Sequence, residues 1–293
     1  VAIMKEMGFG GFYMHPRAGL SVEYLGEVFD GVQCPSIIVQ VLHNKKPLTT
    51  VGMRVKASDR EFVINTNREV FADCFSFLID DKEYALLDKI SNNSSTVTLK
   101  NKAQFVLGIV TGNNSKYVST VKTSANEPVL KGSDINKFRY SDPKNYIVFE
   151  PKAFQQVAST DLYRAKEKLV YKFISNKLVF AYDNKQTLSL NSCNILIPNI
   201  DNLSFKYILA VLNSSVAQFY FSKQFNSIKV LRSHIEQIPI PIVDKPIQLE
   251  FETLVDKILH SSEDNYRNLC DELDKKIAYL YGLTDEEFLR IRA

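Results

Sequence analysis

The chain has 293 residues, 45% of them hydrophobic, and 36 Lys/Arg against 33 Asp/Glu, a formal net charge of +3. That length suggests about two domains with apolar content enough for real cores, and no apolar run approaches the ~18 residues of a membrane span. Four widely spaced cysteines (Cys34, Cys74, Cys193, Cys270) and four scattered histidines (His15, His43, His234, His260) argue against a disulfide framework and give no metal-ligand spacing, so free thiols in a reducing cytoplasm and no metal centre are expected.

The opening Val1-Ala-Ile-Met-Lys-Glu-Met-Gly lacks the pattern of a signal peptide and begins as an internal piece of a longer chain would. Residues 1–26 have poor periodicity and yield no element. The β-branched run 36–42 (Ser-Ile-Ile-Val-Gln-Val-Leu) predicts a strand buried on both faces, ended by Asn44-Lys-Lys-Pro47. Cys74–Ile79 predicts a second strand. Asp80 and Glu83 then form a capping box for a short helix with Leu86, Leu87 and Ile90 on its apolar side. Together these are expected to be the last part, residues 1–92, of an α/β domain.

Ser91-Asn-Asn-Ser-Ser-Thr96 has the composition of a linker. Beyond it the pattern predicts strands at Ala103–Val110, Lys116–Val121, Tyr146–Phe149, Leu169–Ile174, Lys177–Tyr182, Thr187–Leu190 and Asn194–Ile197. Turns at Ser175-Asn176 and Asp183–Gln186 join the later ones, which suggests an antiparallel meander. At Ser204–Leu212 the period becomes helical, with Phe205, Ile208, Leu209 and Leu212 on one face; Asn213-Ser214 interrupts it and Val216–Phe221 restarts it. Ile238-Pro-Ile-Pro-Ile242 must be an extended strap, because each proline fixes φ and lacks a donor. Two amphipathic helices follow, one carrying Ile247, Phe251, Leu254, Val255 and Ile258, the other Leu269, Leu273, Ile277 and Leu280, with Gly282 placed to end the second. Thr284 and Glu287 form another capping box, stapled by Leu283 and Phe288, before a terminal helix.

Charge is unevenly distributed. Residues 1–90 carry 10 Lys/Arg against 12 Asp/Glu, whereas residues 91–190 carry 15 against 7, a net +8. A localised positive block is the electrostatic footprint of a phosphate-backbone partner. Within it, the apolar run ending at Val110 enters a Thr-Gly-Asn-Asn turn, where Gly and Asn tolerate positive φ. Amide, hydroxyl, Lys and Tyr side chains follow, groups able to read base edges and hold phosphates.

Several stretches, in order and spacing, resemble the target-recognition domain of TaqI-like adenine-N6 DNA methyltransferases and type IIG restriction–modification enzymes. They are Gly108-Ile-Val-Thr-Gly112, Leu130-Lys-Gly-Ser-Asp-Ile135, Lys168–Ser175, Leu178–Asp183, Leu190-Asn-Ser-Cys-Asn-Ile-Leu-Ile-Pro198, Leu209-Ala-Val-Leu-Asn-Ser214, Ile238-Pro-Ile-Pro241 and Tyr279–Glu287. The resemblance implies an α+β chain: a remnant of an α/β methyltransferase domain (1–92), a mixed, mainly antiparallel β target-recognition domain (97–242) and C-terminal helices (243–293). Phe29–Leu42 would be a late strand of the methyltransferase domain.

The resemblance implies double-stranded DNA as partner, together with catalytic methyltransferase or nuclease domains of the same or another chain. Asn113, Asn114 and Ser115, with Thr111, would contact base edges; Lys116, Lys131, Lys137, Arg139 and Lys172 would hold phosphates, with Asn136 beside them. Gly132 and Asp134 are expected as turn-makers, and Tyr117 and Tyr140 as packing residues. The family's Asn/Asp-Pro-Pro-Tyr/Phe tetrapeptide is absent, Asp142-Pro143-Lys144 being the nearest string, and Phe9-Gly10-Gly11 has the wrong spacing for the cofactor loop. S-adenosylmethionine is therefore implied for the parent protein and no cofactor or catalytic residue for this chain. Two alternatives stand: the specificity subunit of a type I restriction system, which should carry an internal repeat not found here, and an intact DNA-modifying enzyme with unrecognised catalytic residues.

Overall fold

The computed structural model describes residues 18–28, 35–43, 50–57, 59–68, 77–93, 95–225 and 227–292. They divide into two compact units, Val1–Lys89 with Lys223–Phe225, and Ile90–Ser222 with Asn226–Ala293. No helix among the described residues is long and apolar enough to cross a membrane.

In the first unit, β1 (Ala18–Glu27), β2 (Pro35–His43), β3 (Met53–Lys56) and β4 (Glu61–Ile64) form a sheet of order β2-β1-β3-β4. β1 runs antiparallel to β2 and parallel to β3, and Val22, Met53, Val55, Ile64 and Phe77 make the core. The run 36–42 is thus an antiparallel edge strand, not one buried on both faces. Ile37 and Val39 pack on the core while Ile38 is 44% exposed, because successive residues of a strand face opposite sides. β1 itself arises where the sequence pattern gave no element. Of the strand expected at Cys74–Ile79, residues 74–76 lie outside the described residues and Phe77–Ile79 join no ladder. Helix α1 (Asp81–Ser91) begins with the expected capping box: Glu83 N donates to Asp80 Oδ1 and Asp80 N to Glu83 Oε2, both at 2.8 Å.

The second unit opens with β5 (Thr96–Val97), β6 (Ala103–Val106), the helical turn α2 (Asn114–Tyr117), β7 (Val118–Ser119), β8 (Glu127–Leu130), β9 (Tyr146–Ile147) and the short helix α3 (Thr160–Tyr163). β10 (Lys168–Lys172), β11 (Phe180–Asp183), β12 (Leu188–Ser189) and β13 (Cys193–Pro198) complete its β-rich part. Two four-stranded sheets result, β11-β10-β13-β6, antiparallel throughout, and β12-β8-β9-β7, in which β12 runs parallel to β8. One apolar cluster draws from both, with Val106, Val170, Ala181 and Ile195 against Val129, Leu130, Ile147 and Leu188.

The later strands are not a meander. β10 and β11 form the expected hairpin, but β12 leaves for the other sheet and β13 returns to the far edge of β10. Asp183 redirects the chain, its carboxylate accepting from Lys185 N (3.0 Å) and Thr187 N (2.9 Å). The strand expected at Lys116–Val121 shrinks to β7, because the Asn113 side chain accepts from Lys116 N at 3.1 Å and caps a helical turn first.

Helices α4 (Phe205–Asn213), α5 (Ser215–Phe225) and α6 (Arg232–Ile235) lead to the strap β14 (Ile240–Pro241), and α7 (Lys245–His260), α8 (Glu263–Leu280) and α9 (Asp285–Arg292) end the chain. The strap pairs antiparallel with β5, so the presumed linker ends in a ladder, and Tyr207 donates its hydroxyl to Pro241 O at 2.8 Å. Gly282 (φ +71°) ends α8: its N donates to Tyr279 O (3.0 Å) and Leu283 N to Ala278 O (3.2 Å), a Schellman motif. Thr284 and Glu287 close the second capping box, and Leu283 and Phe288 are buried.

The turn at residues 190–194 is the meeting point of the β-rich part. Ile109 N donates to Ser189 O (2.8 Å), Asn191 N to Ile109 O (3.1 Å) and Gly108 N to Asn194 Oδ1 (3.1 Å). A β-carbon on Gly108 would fall 2.1 Å from Leu190 O and 2.6 Å from Cys193 O; one on Gly132 would fall 2.6 Å from Ser192 O. These glycines are needed for space. Gly282 has nothing within 4 Å of that position and is needed only for its φ. Accordingly Gly108→Ala should cost about 3 kcal/mol or more through overpacking, and Gly282→Ala about 1 kcal/mol. Urea denaturation of the two variants should show that order.

Candidate nucleic-acid interface

Most cations of the positive block lie at the surface. Of its 15 Lys/Arg, four are engaged within the fold: Lys137, Arg139, Arg164 and Lys168. The other eleven are exposed or half-buried and form no ion pair among the described residues.

Lys168 and Asp183 are both 0% exposed and meet at 2.7 Å. Lys168 Nζ also donates to Tyr163 O (2.7 Å), and Asp183 Oδ1 accepts from the Tyr140 hydroxyl (2.8 Å). Burial by itself pushes the Asp183 carboxyl up, but the Lys168 ammonium and these donors outweigh it and hold it below the usual carboxylate range. Tyr140 is thus a packing and hydrogen-bonding residue, and Tyr117 a packing one, its ring meeting Phe154 edge-on at 5.5 Å.

Thr111 is buried and belongs to the turn's frame. Its hydroxyl donates to Asn114 Oδ1 (2.6 Å) and accepts from Asn113 N (3.2 Å). Gly112 adopts φ +78°. Asn113, Asn114, Ser115 and Lys116 are exposed, the Lys116 ammonium 4.8 Å from the Tyr117 ring centroid. Both asparagines already use an oxygen in the turn, Asn113 for Lys116 N and Asn114 for Thr111. No partner among the described residues takes their amide N–H groups, which remain free to donate.

Lys131 and Lys172 come together through the backbone. Gly132 N donates to Ser192 Oγ (3.0 Å) and Phe173 N to Ser192 O (3.2 Å), so the residues adjoining both lysines share one turn. Gly132 and Asp134 are turn-makers: Asp134 Oδ2 accepts from Lys131 N at 2.8 Å.

Lys137 and Arg139, expected to hold phosphates, bond other groups of the protein. Lys137 Nζ donates to Asn213 O (2.6 Å), and burial pushes its pKa down. Arg139 bonds Ser261 O (2.9 Å) and Glu263 and lies 4.7 Å over the Tyr266 ring. Asn136 is exposed, its amide 3.3 Å from Ser141 Oγ.

Asn213, expected only as an interruption between two helices, also serves the fold. The Asn213 amide accepts from Phe180 N and donates to Phe180 O, each at 3.0 Å, standing in for a neighbouring strand along the edge of β11. Its signal was present in the Leu-Asn-Ser string, which composition alone reads as a helix break.

With this geometry in place, the chain can be set against known structures. It is similar to the Type IIL restriction–modification enzyme MmeI in complex with DNA, with a TM-score of 0.51 at 10% identity, covering 94% of this chain and 46% of that one. The two share a fold. Similarity to the type IIG restriction endonuclease BpuSI (TM-score 0.44, 11% identity, 95% of this chain, 45% of that one) is lower. So is that to the HsdS subunit from Thermoanaerobacter tengcongensis (0.41, 11%, 72% and 47%). The chain spans about half the length of these solved chains, and no curated protein matches it. Residues 127–240 match the family model of the TaqI-like C-terminal specificity domain. That segment is such a specificity domain.

The Lys168–Asp183 pair sets an acid limit on this domain. Because the folded-state pKa of Asp183 is depressed, its stabilisation is fully present above the unfolded carboxylate pKa, about 3.9, and is lost as pH falls through the lower folded value. Asp183→Asn, which strands a buried ammonium, should cost about 3–5 kcal/mol at neutral pH. It should also flatten the acid side of the stability profile, measured by urea melts from pH 7 to pH 3.

Proposed function

We propose that this chain is the DNA target-recognition part of a restriction–modification enzyme whose catalytic motifs lie outside it. The observation that carries this is the TaqI-like specificity domain at 127–240. The surface charge agrees: of the eleven lysines in residues 91–190 that form no ion pair among the described residues, seven lie within that segment, and Lys-rich surfaces bind the phosphate backbone by displacing counterions.

In this reading Lys116, Lys131 and Lys172 hold phosphates, and the free amide donors of Asn113 and Asn114 meet acceptors on base edges. Asn136 and Ser115 lie exposed beside them. Lys137 and Arg139 support the recognition loop from behind through α4 and α8. Among the described residues, the string nearest the family's tetrapeptide does not fit the parent enzyme's methyl donor, S-adenosylmethionine; Phe9-Gly10-Gly11 lies outside them. Asp142-Pro143-Lys144, nearest to the family's tetrapeptide, is a connector into β9 with Asp142 and Lys144 exposed and Asn145 where the tetrapeptide has its aromatic. The chain by itself should show no heat of binding to S-adenosylmethionine in calorimetry.

Duplex DNA should bind with a strong salt dependence. Neutralising about four to six phosphates gives a slope of log K against log salt near −4 to −5, and Lys116→Ala should reduce it by about one on every sequence. Asn113→Ser preserves the helix cap while removing the amide. It should cost about 1–3 kcal/mol on a duplex selected from a randomised pool and little on scrambled DNA. A flat salt profile, or equal loss on both duplexes, contradicts the reading.

A further inference from the structure

The turn at residues 190–194, where the β-rich part meets, carries one side chain that the fold does not use. Leu190 O accepts from Cys193 N (2.7 Å), which puts Asn191 and Ser192 at the corners of the turn. Leu190 and Cys193 are buried in the core and Ser192 bonds Gly132 N, while Asn191 is exposed. Asparagines that make turns bond neighbouring backbone, as Asn113 does with Lys116 N and Asn126 with Thr123 N. The Asn191 carboxamide has no partner among the described residues, and its φ is not positive. The turn itself therefore gives no reason for asparagine.

The backbone beneath that side chain is fixed. Asn191 N donates to Ile109 O (3.1 Å), Leu190 N to Leu130 O (2.9 Å) and Phe173 N to Ser192 O (3.2 Å). Three separate stretches thus converge here: the one leading into Thr111–Lys116, the one bearing Lys131 and the one bearing Lys172. Lys131 and Lys172 are half-buried and form no ion pair among the described residues. Residues 91–126, 169–182 and 184–200 contain no Asp or Glu, and Asp134, beyond Lys131, already accepts from Lys131 N at 2.8 Å.

An uncommitted carboxamide on a rigid turn, where lysine-bearing and acid-free stretches meet, fits duplex DNA. In the major groove adenine presents N7 as acceptor and its N6 amino group as donor, and a carboxamide matches both at once when its oxygen and its N–H groups are free. Asn113, Asn114 and Asn136 each have one end already engaged, with Lys116 N, Thr111 and Ser141. We propose that Asn191 reads an adenine in the major groove, with Lys131 and Lys172 on the flanking phosphates. It adds a specificity-determining residue that the sequence pattern did not mark, and it rests on the reading of the chain as a DNA target-recognition part.

The test starts with a duplex enriched from a randomised pool by the full chain. Wild type and Asn191→Ala are titrated against it, against a scrambled duplex, and against copies in which each adenine in turn is replaced. The replacements are 7-deazaadenine, which lacks N7, and purine, which lacks the amino group. At one adenine both should weaken wild type, and Asn191→Ala should be indifferent to both there. On the selected duplex that variant should bind roughly 5- to 100-fold more weakly, with scrambled DNA and the salt slope unchanged. Lys131→Ala/Lys172→Ala should instead lower the salt slope by about two on every duplex. Urea melts of Asn191→Ala should match wild type, because its side chain bonds nothing in the fold. A selected site without adenine, the same adenine sensitivity in wild type and Asn191→Ala, an equal loss on selected and scrambled DNA, or an unchanged salt slope in the lysine variant overturns the proposal. Failure of the pool to enrich under wild type overturns the DNA reading itself, and this proposal with it.

Discussion

Close approach of backbone to backbone at residues 190–194 is the constraint on which the β-rich unit depends. Gly108 and Gly132 come from separate stretches, yet both lie where a β-carbon would collide with a carbonyl of that turn. Side-chain packing between the sheets requires this proximity, since Ile109, Leu130, Leu190 and Cys193 share one core cluster. Backbone N–H groups thereby brought inside are matched, Asn194 accepting from Gly108 N and Ser192 from Gly132 N, whereas the buried Ser189 hydroxyl beside them has no partner. A buried amide left unmatched would cost free energy comparable to a lost hydrogen bond.

Polar groups inside the domain do a second job, fixing which strand lies where. Apolar burial alone would accept β12 beside β11. The Lys168–Asp183 pair, closed on Tyr163, Tyr140 and the 183–187 turn, is satisfied only when β10 and β11 are in register and the chain then turns away. Asn213 acts likewise at the outer edge of β11, sharing that edge with the backbone of Phe138, whose N donates to Phe180 O (2.7 Å). Desolvating such groups is unfavourable, so their value lies in excluding other pairings as well as in stability.

That rigidity bears directly on the proposed function. A recognition surface works best when its loops are held in place before binding, because less order is lost on association. The Thr111–Lys116 turn is held by Thr111 and Asn113, the Lys131 loop by Asp134 and Ser192, and the loop at Lys137–Arg139 by contacts to Asn213, Ser261 and Glu263. The cations divide accordingly, some fastening loops and the rest facing solvent, where a polyanion can reach them.

The sequence by itself determined what depends on neighbours along the chain. Both capping boxes, the Gly282 stop and the Pro-Ile-Pro strap were legible because a cap, a positive φ and a missing N–H are local matters. The charge imbalance of residues 91–190 was legible because it needs only counting. Tertiary structure alone decided that β2 is an edge strand, that β12 joins the other sheet, and that Thr111, Lys137 and Arg139 serve the fold. Such outcomes depend on partners up to 124 residues away, as with Arg139 and Glu263. Periodicity carries no information about which distant strand, carbonyl or carboxylate will complete a given residue, because that choice is made by packing the whole core at once.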